Sequence, residues 1–191
     1  MNYIIISDIH GDADSLYLLQ SAIKSIIPHN VICLGDFAGP YNGRIIYDIL
    51  TINLDASVIA ACNNDINGIG HIKTGVQFEN DIFAYCHANP INNSDYLLTT
   101  LDTFKSFKWM IRNNIKLTFF GHTHSPTIFE LAADTGKVES INIVLGKKFP
   151  LNKERLYLIN PGTLAAMRKH TPYLSYTIYN SEEHSITFHT P

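Results

Sequence analysis

Near the start of the chain, residues 3–10 read Tyr3-Ile4-Ile5-Ile6-Ser7-Asp8-Ile9-His10. The first four of these residues form a short apolar run, which is typical of a buried strand. The run is too short, and is interrupted too soon by polar residues, to be a signal peptide or a membrane span. We therefore predict a buried strand over residues 3–6 that is followed directly by a carboxylate and an imidazole.

The same pattern returns along the chain, with helical segments between the strands. Short apolar runs predict further strands at residues 31–34, 57–61, 75–78, 81–86 and 117–120. Apolar residues at helical spacing predict helices at residues 13–27, 43–53 and 95–113. Residues 127–190 are mostly strand-like. Alternating strands and helices that precede a strand-rich half favour a layered α/β domain in which two sheets pack together.

The composition is that of a compact domain with a sizeable core. The chain has 191 residues, 46% of them hydrophobic, so we expect one domain over residues 1–191. The formal net charge is −3 and the chain has no basic stripe, which disfavours binding to a nucleic-acid backbone. Three cysteines without close pairs argue against a disulfide framework and favour a reducing, cytoplasmic location.

Polar side chains that can bind metal follow the predicted strands. They are Asp8, His10, Asp36, Asn63, His87, His122 and His124. In open α/β sheets ligands bind beyond the carboxyl ends of the strands, so these side chains are expected to converge. Residues two apart in an extended segment face one side, which would pair Asp8 with His10 and turn Ile9 away. Gly35 and Gly121 would let the backbone turn tightly or approach a ligand closely.

The chemistry of these seven side chains favours two cations. Imidazoles, carboxylates and an amide oxygen suit Mn, Fe, Zn or Ni better than Ca, and Mn is the favoured ion. Seven ligands exceed one tetrahedral site but suit two divalent ions that share a bridging carboxylate. Two such ions carry +4 and two carboxylates carry −2, which leaves +2 for a phosphate group. Paired ions are a standard device for displacement at phosphorus, and they lower the pKa of a shared water towards ~7.

The ordered motifs resemble the calcineurin-like metallophosphoesterase superfamily, within it the small single-domain phosphodiesterase branch of bacteria and archaea. The resemblance covers nearly the whole chain. It extends to the turn Asn160-Pro161-Gly162-Thr163 and to Arg168. The matching motifs are Asp8-x-His10, Gly35-Asp36, Asn63-Asn64-Asp65, His87 and Gly121-His122-Thr123-His124.

The resemblance implies a fold, two metals and a reaction. The fold would be a four-layer αββα sandwich of two mixed β-sheets flanked by helices. One metal would be held by Asp8, His10, Asp36 and His124. The second would be held by Asp36, Asn63, His87 and His122, with Asp36 bridging. A hydroxide between the metals would attack a phosphodiester, with Asp36, Asn64 and Asp65 as catalytic residues and Asn64 and Arg168 as substrate contacts.

The third motif departs from the family pattern. It reads Cys62-Asn63-Asn64-Asp65, where many members carry a His in the position of Asn64. An amide has no useful pKa for proton transfer, so a His-type general acid is missing. Phosphodiesters with activated or aryl-like leaving groups are therefore the expected substrates. In the fourth motif, Ala88 follows His87 where the family usually has Gly, which is a small change.

Several assignments stay open at this point. A phosphomonoesterase or nucleotide pyrophosphohydrolase would use the same metals. A catalytically weak scaffold or binding module is the alternative of a different class, since one eukaryotic retromer subunit shares this fold. The partner would be a small phosphodiester or nucleotide, without a membrane, and a homo-oligomer is left open. Asp12 is expected to cap the first helix, and Asp65 to orient a His or Asn ligand.

Overall fold

Two mixed β-sheets packed face to face form the centre of the protein. The structure, a computed structural model, describes residues 1–27, 29–61, 63–67, 69, 72–92, 94–132, 134–166 and 173–191, with the backbone alone for residues 60, 63 and 64. Helices lie on the outer faces of the sheets, so the predicted α/β class with two mixed sheets and flanking helices is confirmed.

The first sheet has seven strands among the described residues. Their spatial order is β10 (Phe149–Pro150), β13 (Ser185–His189), β12 (Tyr176–Asn180), β1 (Asn2–Ile6), β2 (His29–Cys33), β3 (Ser57–Ala60) and β4 (Lys73–Thr74). The run from β1 to β4 is parallel, and the other pairs are antiparallel. The carboxyl ends of β1, β2 and β3 therefore lie at one edge of this sheet.

The second sheet has six strands in the described part of the chain. Their order is β5 (Gln77–Glu79), β6 (Phe83–Tyr85), β7 (Leu117–Phe119), β11 (Arg155–Asn160), β8 (Thr127–Ala132) and β9 (Lys137–Ile141). The central strands β6, β7 and β11 are parallel, and antiparallel strands flank them. The segments that follow β6 and β7 carry His87, His122 and His124, so this sheet also presents candidate ligands at its strand ends.

Four helices complete the described layers. They are α1 (Ala13–Ile23), α2 (Gly43–Asp48), α3 (Asn63–Ile66) and α4 (Phe104–Arg112), and a π-helical segment (Ile49–Asn53) continues α2. Asp12 caps α1, because its side chain accepts a hydrogen bond from the backbone N–H of Ser15 at 3.0 Å. The predicted capping role of Asp12 is therefore confirmed. Among the described residues, no helix has the length and apolar character needed to cross a bilayer.

Alternation along the strands divides the core into layers. In β1, Tyr3 and Ile5 pack between the two sheets, while Ile4 and Ile6 pack towards α1 and α2 on the outer face. A third apolar layer joins the second sheet to α4 through Phe107, Met110, Phe129, Leu156 and Leu158. These three layers fix both sheets, and with them the strand ends that carry the polar residues.

The predicted helix at residues 95–113 is wrong in its first half. The helix α4 begins at Phe104, and the preceding residues form turns. The carboxylate of Asp102 accepts hydrogen bonds from the backbone N–H groups of Leu98 and Thr99. Short polar side chains that bond nearby backbone groups compete with helix formation, which accounts for the late start. The first helix also ends early, at Ile23 instead of residue 27.

Candidate metal centre

The backbone pairing of β1 and β2 continues beyond the strands into the ligand loops. The N–H of Asp8 donates to the carbonyl of Gly35 at 3.0 Å, and the N–H of His10 donates to that of Asp36 at 3.0 Å. The N–H of Gly11 then donates to Phe37 at 2.8 Å. Two loops that are far apart in sequence are thus held in register, with their polar side chains side by side.

Five candidate ligands have left-handed backbone conformations. The φ angles are +54° for Asp8, +50° for His10, +50° for Asp36, +69° for His122 and +57° for His124. Asp8 and His10 do lie in one cluster, but the expected cause, an extended backbone, is wrong. Positive φ is uncommon outside glycine, and such strain clusters at functional sites when the surrounding structure imposes it. Ile9 does turn away, because it is fully buried in the core.

Four of the predicted ligands form one tight cluster. Asp8, His10, Asp36 and His124 each offer a ligand atom, and these atoms all lie within 4.8 Å of one another. The Nε2 atoms of His10 and His124 are 3.1 Å apart. His10 Nε2 lies 3.3 Å from Asp36 Oδ2, and His124 Nε2 lies 3.2 Å from Asp8 Oδ1. The cluster combines two imidazoles with two carboxylates.

His87 and His122 form a second pair of imidazoles beside this cluster. His87 Nε2 lies 3.2 Å from His122 Nδ1 and 4.0 Å from Asp8 Oδ1. His87 Nδ1 lies 3.2 Å from the carbonyl oxygen of Leu34. Because a carbonyl can only accept, Nδ1 carries the proton and Nε2 keeps its lone pair for a ligand. Leu34, which follows β2 of the first sheet, therefore orients His87, which follows β6 of the second sheet and lies against His122.

Asp8 is the most buried member of the centre, with no exposed surface. Burial by itself would raise the pKa of this carboxyl. The hydrogen bond with the imidazole of His124 and the electrostatic influence of the His87 and His124 rings outweigh burial, so its pKa lies below the ordinary value. Burial, followed by the electrostatic influence of His87, lowers the pKa of His122. An ionised carboxylate beside neutral imidazoles is the protonation state that binds metal.

The donor set fits a divalent transition metal. Imidazole nitrogens and carboxylate oxygens bind such ions at about 2.0–2.2 Å, so two ligands of one ion stand no more than about 4 Å apart. Three contacts within the cluster, at 3.1, 3.2 and 3.3 Å, are within that limit. Among the described residues, Asp8 Oδ1 is buried without a well-aligned hydrogen-bond donor, which a cation would remedy.

Asp65 holds the loop that carries Asp36. It is fully buried, and its carboxylate accepts four backbone hydrogen bonds. The donors are the N–H groups of Asp36 (2.8 Å), Phe37 (3.0 Å), Ala38 (2.9 Å) and Ala61 (2.8 Å). Its described contacts therefore position the Asp36 backbone, whereas we had expected them on a His or Asn ligand. Its direct catalytic role stays a prediction.

The turn Asn160-Pro161-Gly162-Thr163 braces two ligand loops. Asn160 donates from Nδ2 to the carbonyl of Gly121 at 2.7 Å and to the hydroxyl of Thr123 at 3.0 Å. Thr163 donates from its hydroxyl to the carbonyl of Asp8 at 2.5 Å. These contacts reach the backbone of both sheets' ligand loops, so the turn lies beside the centre.

Other predicted site residues lie beyond what the structure describes. Arg168 is outside the described residues. Asn63 and Asn64 begin α3, directly after β3, and their side chains are outside the description. The metal role of Asn63 and the substrate roles of Asn64 and Arg168 remain predictions.

Sequence reasoning missed Tyr96. Its ring stacks on the imidazole of His122, with centroids 4.0 Å apart and planes 25° apart. Tyr96 lies in the segment predicted to be helical, and no motif includes it. Only the folded turns before α4 bring it to the centre.

A family model matches the chain along most of its length. The model is the calcineurin-like phosphoesterase superfamily domain, and it covers residues 1–184. The chain belongs to this superfamily. Its predicted resemblance is thereby confirmed, and the four clustered ligands are those expected for the first metal of the family.

Solved structures share the fold over nearly the whole chain. A metallophosphoesterase from Sphaerobacter thermophilus is 19% identical, has a TM-score of 0.77, and covers 100% of this chain and 88% of its own. An archaeal phosphodiesterase is 18% identical, with a TM-score of 0.56 and 98% coverage of both chains. Vps29 from Chaetomium thermophilum is 12% identical, with a TM-score of 0.58 and coverages of 98% and 83%. At these identities the likeness concerns the fold alone.

Proposed function

We propose that the protein is a binuclear metal-dependent phosphoesterase that hydrolyses phosphodiesters. The single observation that carries the proposal is the convergence of Asp8, His10, Asp36 and His124, whose ligand atoms lie within 4.8 Å of one another. Superfamily membership supports a hydrolase. The clustering adds that this chain retains the side chains on which such a hydrolase depends.

A second cation is proposed at the imidazoles of His87 and His122. His87 and His122 supply two imidazole nitrogens 3.2 Å apart, beside the first cluster. Asp36 would bridge, and Asn63 would complete the set from the start of α3. Mn, Fe, Zn and Ni all suit mixed nitrogen and oxygen donors without thiolate, and Mn is the ion that we propose. Two bound cations would supply a water of lowered pKa and positive charge for the oxygens at phosphorus.

The protein's own groups would hold this centre rigid. Asp8 is anchored through the Thr163 hydroxyl, and its Oδ2 accepts the N–H of His122 at 2.9 Å. Asp65 fixes the backbone of Asp36. Ligands that are locked before substrate arrives need no rearrangement during the reaction, which is how preorganised sites lower a barrier. Asn64 is proposed as a hydrogen-bond donor to phosphate.

The third motif bears on the leaving group of the proposed phosphodiester. An alkyl leaving group calls for protonation, and Asn64 cannot supply a proton at neutral pH, so activated or aryl-like phosphodiesters are the proposed substrates. The fold likeness to an archaeal phosphodiesterase supports the same choice. Nucleotide pyrophosphate hydrolysis on the same centre is the alternative within this class.

A scaffold without activity is the competing proposal. One fold can serve proteins with different roles, so the fold that this chain shares with Vps29 does not by itself establish hydrolysis. The retained cluster of carboxylates and imidazoles favours the enzyme, because a scaffold has no need of a buried Asp8 beside imidazoles.

The test is an assay in the presence of Mn²⁺. Bis-(p-nitrophenyl) phosphate, p-nitrophenyl phosphate and cyclic nucleotides are compared as substrates of the wild-type protein, Asp36→Asn and Asp81→Asn. Asp81 is a matched control because it has a similar left-handed φ, +57° against +50°, in an exposed turn. We expect the diester to be the better p-nitrophenyl substrate, and Asp36→Asn to lose more than about 100-fold in kcat/KM, since even ligand-orienting groups contribute 10–100-fold.

Two results would reject the proposal. Preference for the monoester would contradict the phosphodiesterase assignment, and equal activity of Asp36→Asn and Asp81→Asn would contradict hydrolysis at this centre.

A further inference from the structure

A cavity of about 520 Å³ lies beside the candidate metal centre, between residues 89–92, residues 94–97 and the start of α4. Tyr96 belongs to both places. Its ring stacks on the imidazole of His122, and it also lines the cavity. One aromatic ring is therefore a shared wall between a candidate metal ligand and an adjoining space.

Tyr96 keeps much of its surface available. Although it is stacked on His122, 54% of the residue is exposed. Aromatic side chains with an accessible face bind flat groups by stacking, largely independently of which flat group it is. The apolar side chains of Ile91, Leu97 and Leu101 line the same cavity. This part of the wall suits an aromatic or heterocyclic group.

The charges of the lining residues indicate which groups the cavity would disfavour. Asp95 and Asp102 line it, and Lys105 is the one cation among its described lining residues. Hydrogen bonds from the hydroxyl and backbone N–H of Thr99 hold the pKa of Asp102 below its ordinary value, so this carboxylate is ionised at neutral pH. Two carboxylates against one ammonium leave the cavity negative, which disfavours an additional anionic group such as a second phosphate.

We propose that this cavity receives one ester group of a phosphodiester bound at the metal centre, and that it selects a flat, uncharged aromatic or heterocyclic group stacked on Tyr96. The proposal rests on the proposed function and adds the class of substrate. It also sets a preference between the reactions considered above, because a nucleotide pyrophosphate would bring a second phosphate to Asp95 and Asp102.

Equilibrium binding of phosphonates tests the proposal without a reaction. Phenylphosphonate, methylphosphonate and 4-carboxyphenylphosphonate are titrated into the Mn²⁺-loaded protein by calorimetry. The variants are Tyr96→Ala, Tyr96→Phe, which keeps the ring, and Tyr17→Ala. Tyr17 is a matched control because it is 51% exposed and does not line this cavity.

We expect the wild-type protein to bind phenylphosphonate at least about fivefold more tightly than methylphosphonate, the low end for loss of one stacking contact. Tyr96→Ala should abolish this difference, whereas Tyr96→Phe and Tyr17→Ala should keep it. The added carboxylate of 4-carboxyphenylphosphonate should weaken binding.

Three results would overturn the subsite. They are equal affinity of the wild-type protein for phenyl- and methylphosphonate, a preference that survives in Tyr96→Ala, and tighter binding of the carboxylated compound. If the same protein hydrolyses bis-(p-nitrophenyl) phosphate in an Asp36-dependent manner, these results reject the subsite alone. If it also shows no such hydrolysis, the proposed function fails with it.

Discussion

The carboxylate of Asp65 accepts a hydrogen bond from the backbone N–H of Asp36 at 2.8 Å. The two aspartates therefore have different roles in the site. Asp36 turns its side chain to the imidazole of His10, while the buried Asp65 fixes the backbone from which Asp36 projects. Asp65, which comes after β3, therefore supports Asp36, which follows β2.

Substitution of Asp65 tests this support. In Asp65→Asn, an amide NH₂ replaces one of the two oxygens that accept four backbone N–H groups, so buried donors lose their partners. Hydrogen bonds to charged groups contribute about 1.5–3 kcal/mol each, and we expect the free energy of unfolding to fall by at least about 3 kcal/mol. Urea denaturation measures the loss. Asp134→Asn, in an exposed turn, is the control, and equal stability of the two variants would contradict this account.

Close packing at Gly121 gives a second prediction. A Cβ atom there would lie 2.0 Å from Ser7 Oγ and 2.8 Å from Asp8 Oδ2. Gly121→Ala should therefore lower stability by about 1–3 kcal/mol, as overpacking does, and displace Asp8. Thermal unfolding with and without Mn²⁺ measures both effects.

The double variant Ser7→Ala/Gly121→Ala provides the check. Removing Ser7 Oγ relieves the shorter contact, so part of the stability lost in Gly121→Ala should return. If the two substitutions add without any recovery, the steric explanation is wrong.

The third motif gives a prediction about leaving groups. Asn64→His would introduce a group that can donate a proton near neutral pH. We expect hydrolysis of phosphomonoesters with alkyl leaving groups to rise by about 10-fold or more, since positioned acids contribute at least about 10²-fold in established sites. The activity on bis-(p-nitrophenyl) phosphate should change far less, because its leaving group needs little protonation. Unchanged monoester activity would show that the missing imidazole does not limit the reaction.

The parallel strands explain why the site could be predicted from the sequence. Buried parallel strands read as continuous apolar runs, and their carboxyl ends share one edge, so polar residues such as Asp8 and Asp36 were expected to meet. The structure brings these two together with His10 and His124. The prediction needed only strand ends and residue types, and it did not depend on exact element boundaries.

The conformation of the ligand loops could not be predicted in the same way. The pairing of Asp8 with His10 was expected from side-chain alternation in an extended strand, but both residues have left-handed backbone conformations. That conformation arises from long-range contacts, such as the bond from Thr163 to the Asp8 carbonyl, which no local pattern encodes. Tyr96 was missed for a related reason, since its approach to His122 depends on turns where helical spacing predicted a helix.

Calorimetric titration of the metal-free protein with Mn²⁺ counts the cations that the candidate centre binds. We predict two Mn²⁺ per chain for the wild-type protein, weakened binding at both sites in Asp36→Asn, and wild-type binding in Asp81→Asn. No binding to the wild-type protein, or the same two-site binding in Asp36→Asn, would contradict this prediction.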